Sequence, residues 1–155
     1  MAEIDLGGGL AVCVILVAVV LTSIRVLEVR GVSMTPGISE GESVLVLKPR
    51  ARLSRGSIIV LHSPLSPPLL VLRRIIALPG DLVEVRNRRV FVNDAEIEET
   101  YVSAQQNLRQ QDIASVRVPD HSYFVMADNR DAGFDSRHWG VIADQQIYGK
   151  VLMSH

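Results

Sequence analysis

The chain opens on an unbroken apolar stretch and then turns into short runs in which hydrophobic and polar positions alternate. From Leu6 to Ile24 it reads LGGGLAVCVILVAVVLTSI, without a charged side chain. A buried core helix would carry polar residues at helical spacing, and none appear. The length is close to the ~20 residues with which a helix crosses a bilayer. The start, Met1-Ala2-Glu3-Ile4-Asp5, lacks the basic flank of a cleaved secretion signal. The pattern predicts one transmembrane helix, at about 6–24, within an N-terminal segment 1–26.

Beyond it, Ser43–Leu47, Ser57–Leu61 and Leu69–Leu72 are β-branched or apolar runs bounded by Gly, Pro and Ser, and they predict strands. Leu82–Arg86 and Arg89–Val92 alternate with period two around Asn87-Arg88, which predicts a hairpin. Ser122–Met126 and Ile147–Met153 add two more strands, and Ala143–Gln146 suits a short helical turn. Many short strands separated by turn signals indicate an all-β, antiparallel, sandwich- or barrel-like domain over 27–155. An excursion is expected at about 84–118, with its polar, Gln-rich part Thr100–Arg117 read as loop. Pro64, Pro67 and Pro68 keep Ser63–Leu70 out of any central strand. That loop's apolar surface also suits contact with a membrane.

The formal net charge of -1 argues against a nucleic-acid partner. The single cysteine, Cys13, excludes an internal disulfide and a cysteine-based metal cage, and nothing else asks for a metal or cofactor. Arg is much preferred to Lys, whose only examples are Lys48 and Lys150. Arg25 and Arg30 flank the apolar stretch on its C-terminal side, and the positive-inside bias read literally would hold the domain in the cytoplasm.

Four segments carry the candidate chemistry. Gly31-Val-Ser-Met-Thr-Pro-Gly37 places Ser33 in a Pro/Gly turn just past the apolar stretch. Gly41-Glu-Ser-Val-Leu-Val-Leu47 follows. Leu72-Arg-Arg-Ile-Ile-Ala-Leu-Pro-Gly-Asp81 runs a strand into a Pro-Gly turn. Met126-Ala-Asp-Asn-Arg-Asp-Ala-Gly-Phe-Asp-Ser-Arg-His-Trp-Gly140 is a dense polar loop with opposite charges and the single Trp. Each alone suits an ordinary turn, strand end or hydrogen-bonded loop.

Read in order, the four resemble the boxes of the type I signal peptidases, a family of Ser/Lys serine endopeptidases. That pattern is a membrane helix, Ser-Met-x-Pro, Gly-Asp-x-Val, Lys-Arg-x-x-x-x-Pro-Gly-Asp and Gly-Asp-Asn-Arg-x-x-Ser-x-Asp-Ser-Arg. The resemblance covers essentially the whole chain. It implies a single-pass protein of the cell membrane that removes signal peptides from exported preproteins, its partners being those preproteins and the lipid bilayer. It also implies a β domain on the extracytoplasmic side, against the local charge flank. Ser33 stands at the nucleophile, and its backbone N–H at one donor of the oxyanion hole. Gly31 stands where some members carry a second, hydroxyl donor. Asp135 and Arg137 match a pair that braces the active-site loop, and Arg74 is expected to pair with a carboxylate such as Asp128. Leu27, Val29, Met34 and Leu72 fall where the family lines shallow pockets for small side chains before the cleaved bond.

Two positions depart from the pattern. Arg73 stands where the family has its general-base lysine. Burial that lowers a lysine from ~10.4 to ~8 costs roughly 3 kcal/mol, whereas the same endpoint for arginine, which holds its proton far more tightly, costs roughly 8 kcal/mol. Arg73 therefore stays charged and takes no proton from Ser33. Gly133 stands where many members carry the serine that orients the lysine, and Ala127 replaces a glycine. Among the histidines, His138 is the nearest alternative base by position. These departures leave a second reading, a catalytically impaired relative that binds or assembles secreted proteins.

Overall fold

The computed structural model describes residues 23–48, 52–65 and 67–154. Cys13 and nearly all of the predicted transmembrane helix lie outside the described residues. Among the described residues no helix is long and apolar enough to cross a membrane. The predicted helix end needs one correction: Ile24 already opens a strand, so the apolar run leads directly into the sheet.

The strands are β1 (Ile24–Glu28), β2 (Ser43–Leu47), β3 (Ile58–His62), β4 (Leu70–Ala77), β5 (Leu82–Arg86), β6 (Arg89–Val92), β7 (Ala95–Glu96), β8 (Ile113–Arg117), β9 (Ser122–Met126), β10 (Ile142–Ala143) and β11 (Ile147–Ser154). One helical turn, α1 (Ser136–Trp139), precedes β10, and Asp144–Gln146 is a 3-10 turn at the predicted place. The larger sheet runs β1-β2-β11-β3-β4-β9-β10 and the smaller β7-β6-β5-β8. All pairings are antiparallel. The domain is thus all-β, as its pattern of short strands predicts.

The larger sheet is buried on both faces at its centre, which explains why β3 is a continuous apolar run from Ile58 to Leu61. Val60 of β3 packs with Met34, Val44 and Val46, while its neighbours Ile59 and Leu61 pack with Ile75, Val125 and Ile142. The smaller sheet buries one face: Val83, Val85, Val90 and Val92 meet Ile76, Phe124 and Met126. Its hairpin turns at Asn87 (φ 52°) and Arg88 (φ 62°), the left-handed pair that a two-residue connection between twisted strands needs.

The sequence reading does not expect β1, β7, β10 or α1, and two further elements differ from it. The expected loop Thr100–Arg117 contains β8, whose Val116 pairs with Val83. Only Ile113 and Val116 face the core, so the exposed Ala114, Ser115 and Arg117 hide the strand's pattern. Strand β4 also runs further than Leu69–Leu72 and carries Arg73 and Arg74 in its middle, not at a solvated end.

Candidate active site

The Ser33 turn links β1 to β2. It is pinned from below by Met34 and Ile38, both buried, with Ile38 N–H donating to the Met34 carbonyl at 3.0 Å. Gly31 has φ +90°, a conformation that disfavours a side chain, and its N–H donates to Glu40 Oε1 at 2.9 Å. That donor is therefore already engaged. From the other side, Asn129 N–H donates to the Ser33 carbonyl at 3.0 Å, and Asn129 Nδ2 donates to the Val32 carbonyl and to Thr35 Oγ1. Ser33 thus sits in a turn whose backbone is held by the loop after β9. Its own N–H donates to no group among the described residues.

Arg73 meets Ser33 directly: Nη1 donates to Ser33 Oγ at 3.0 Å. The guanidinium is buried, with Arg73 only 5% exposed, and its other donors go to the Phe134 carbonyl (Nε at 3.1 Å, Nη2 at 2.7 Å) and to the Leu72 carbonyl. Burial lowers its pKa, Asp135 opposes that, and Arg137 adds to it. A guanidinium only donates, so here Ser33 Oγ is the acceptor and its proton must point elsewhere.

Register explains the next pair. Arg74 on β4 lies opposite Met126 on β9, two residues before Asp128, and its Nε donates to Asp128 Oδ1 at 2.8 Å. The second Nη2–Oδ2 contact makes the pair bidentate. Burial alone would lower Arg74, but the Asp128 hydrogen bond and charge outweigh it and hold the guanidinium above its usual pKa. Arg74 also lies 4.0 Å over the Tyr101 ring. Asp135, fully buried, binds Arg137 twice at 2.8 Å and accepts from Ala127 N–H at 2.8 Å. It also caps α1 through Arg137 N–H at 3.1 Å. Arg137 returns to the carbonyls of Arg130 and Gly133, which closes the 127–139 loop on itself.

A groove of about 380 Å³ opens beside Ser33 and Arg73. Leu27, Val29, Met34 and Leu72 all line it, joined by Val60, Leu70 and Val71 and by the charged Glu28 and Arg30.

Residues 7–155 match the family described as signal peptidase, peptidase S26. The chain belongs to this family. Signal peptidase I S of Bacillus subtilis (strain 168) is 36% identical over 133 residues, 78% of this chain and 71% of that protein. Signal peptidase I U of the same organism is 32% identical over 151 residues, 88% of this chain and 80% of that protein. A crystal structure of a signal peptidase I from Enterococcus faecalis V583 is 31% identical with a TM-score of 0.57, covering 66% of this chain and 98% of that chain. The protein is accordingly a serine endopeptidase of the signal peptidase I type.

Against the signal peptidase pattern, the two small-residue departures in the loop turn out to be one. Gly133 is buried, and a β-carbon there would lie 2.0 Å from Ala127 Cβ and 3.1 Å from the Asn129 carbonyl oxygen. The methyl of Ala127 occupies the space that a serine at 133 needs. His138 does not line the Ser33 groove; it borders a separate cavity with Arg109, Arg130 and Arg137. Its Nδ1 accepts from Asp135 N–H, and its ring stacks on Phe134 at 4.2 Å.

Sequence reasoning missed the excursion's share in the site. Gln106 Nε2 donates to Thr35 Oγ1 at 3.0 Å, two residues past Ser33, and the Gln106 carbonyl accepts from Asp131 N–H. Glu99 pairs with the buried Arg130, which also donates to Gln110 Oε1. These partners are separated from it by 20 to 71 residues, so no local spacing announces them.

Proposed function

We propose that this enzyme removes signal peptides from exported preproteins as a membrane-anchored endopeptidase, with the apolar stretch before Ile24 as the anchor and Ser33 as the nucleophile. The observation that carries the reading is Ser33 on the wall of a largely aliphatic groove, its backbone N–H without a partner among the described residues and a buried cation at its Oγ. Ser33 Oγ would attack the scissile carbonyl, and the Ser33 N–H would stabilise the oxyanion. Leu27, Val29, Met34 and Leu72 would admit small residues before the cut. Asp135–Arg137 and Arg74–Asp128 would hold the loop that positions the Ser33 turn.

Arg73 enters this scheme as a fixed positive charge near the oxygen, not as a base. The Ser33 proton then passes to water in the groove, and turnover is slow. Neither the family match nor the named relatives speak for the binding-only reading. The test is incubation of the full chain in detergent with a precursor peptide carrying Ala-x-Ala before the cut. Cleavage after the second alanine, abolished by Ser33→Ala, is the expected result. Cleavage that survives Ser33→Ala would remove the nucleophile assignment.

A further inference from the structure

Arg73 is a buried cation whose described acceptors are all neutral: two backbone carbonyls and the Ser33 hydroxyl. No ion pair involves it among the described residues. The nearby carboxylate, Asp135, is already spent on Arg137. Leaving a charge out of water without a counter-charge is costly, and an anion that reaches it recovers much of that cost. The groove supplies the route, since Arg73 and Ser33 line the same wall. Its two other charges, Glu28 and Arg30, are opposite in sign and give no net repulsion of an anion.

We propose that the groove is a receptor for the free C-terminal carboxylate of a peptide with small apolar side chains, seated between the Arg73 guanidinium and the Ser33 backbone N–H. This rests on the reading of Ser33 and its groove given above. The carbonyl carbon that Ser33 attacks becomes, after hydrolysis, the carboxylate carbon of the released signal peptide. A carboxylate oxygen beside Ser33 Oγ takes over the Nη1 hydrogen that now goes to Oγ, 3.0 Å away, while the Leu72 and Phe134 contacts stay in place. A neutral base would hold no charge there. A guanidinium does, and it forms charge-assisted hydrogen bonds that a carboxamide does not match. The enzyme therefore holds its own product more tightly than peptides of the same sequence without the terminal charge.

The test uses the full chain in detergent and a fluorescent peptide ending in Ala-Leu-Ala, prepared as the free acid and as the C-terminal amide. A longer peptide that continues past the last alanine is measured on the Ser33→Ala chain, where it stays intact. The acid is expected to bind about ten-fold more tightly than the amide, and Arg73→Met is expected to erase the difference. Equal affinities for acid and amide on the unmodified chain overturn the inference even if Arg73→Met does not fold. A preference that persists in folded Arg73→Met overturns it too. If the longer peptide binds while acid and amide are equal, the groove reading stands and only the carboxylate receptor falls. If none of the three binds, the groove reading itself falls and the inference with it.

Discussion

At the residue scale the proposed chemistry turns on Arg73, which the resemblance sets at the position of a general-base lysine. Arg73 reaches the Ser33 hydroxyl, but as a donor. Positioned general-base catalysis contributes about 10²–10⁴-fold to such reactions. Arg73→Lys is therefore expected to raise the cleavage rate by at least about ten-fold. It should also add a limb that rises with pH as the buried amine loses its proton. An unchanged rate and pH profile in a folded Arg73→Lys chain would falsify the assignment of position 73. The orienting hydroxyl is not restored by Gly133→Ser alone. Its β-carbon meets Ala127 Cβ at 2.0 Å, so that single change is expected to destabilise the protein by about 1–3 kcal/mol. Ala127→Gly together with Gly133→Ser should recover most of the loss, a coupling that thermal melts of the four chains in the cycle would read. Additive losses would mean that the two positions do not share that space.

At the scale of elements, the 127–139 loop is a scaffold built around one carboxylate. Asp135 satisfies Ala127 N–H, Arg137 N–H and the Arg137 guanidinium at once, entirely out of water. Asp135→Ala strands the guanidinium and those amides, and a cost of about 3 kcal/mol is expected. The loss should be concentrated in the loop, because the strands of both sheets keep their own ladders and cores. Hydrogen exchange should show faster opening across 128–139 with near-normal protection in β3, β4 and β9. Uniform loss across all strands would mean that the pair supports the whole fold. Because Asn129 N–H holds the Ser33 carbonyl, opening the loop should also slow cleavage.

For the whole molecule, the join between the apolar stretch and the sheet has a consequence for topology. Ile24 begins β1, and β1 is the edge strand that leads into the Ser33 turn. A membrane helix that ends before Ile24 would therefore leave the groove within a few residues of the bilayer surface. Exposed Val26, Leu65, Leu69 and Leu70 add apolar surface to the same domain. With the β domain on the extracytoplasmic side, protease added to intact spheroplasts should digest it. Complete protection there, lost on lysis, would put the domain in the cytoplasm, as the Arg25 and Arg30 flank reads literally.

The order of boxes along the chain is enough to identify the family, because short motifs in sequence order survive without knowledge of their neighbours. Period-two alternation likewise yields the β5–β6 hairpin, and short apolar runs between turn residues yield much of the large sheet, since each strand's pattern is set by its own two faces. The same local logic misses β8, whose only inward residues, Ile113 and Val116, break the period of two, and places Arg73 and Arg74 at a strand end because charge usually marks exposure. Tertiary structure alone decides that Arg73 is buried and donates to Ser33, that Gly31 has already given its N–H to Glu40, and that Ala127 fills the space beside Gly133. It also decides that Gln106 reaches Thr35 across 71 residues. Alternation and turn chemistry are properties of neighbours in sequence, whereas a donor's direction and the room beside a glycine depend on atoms that only folding brings near.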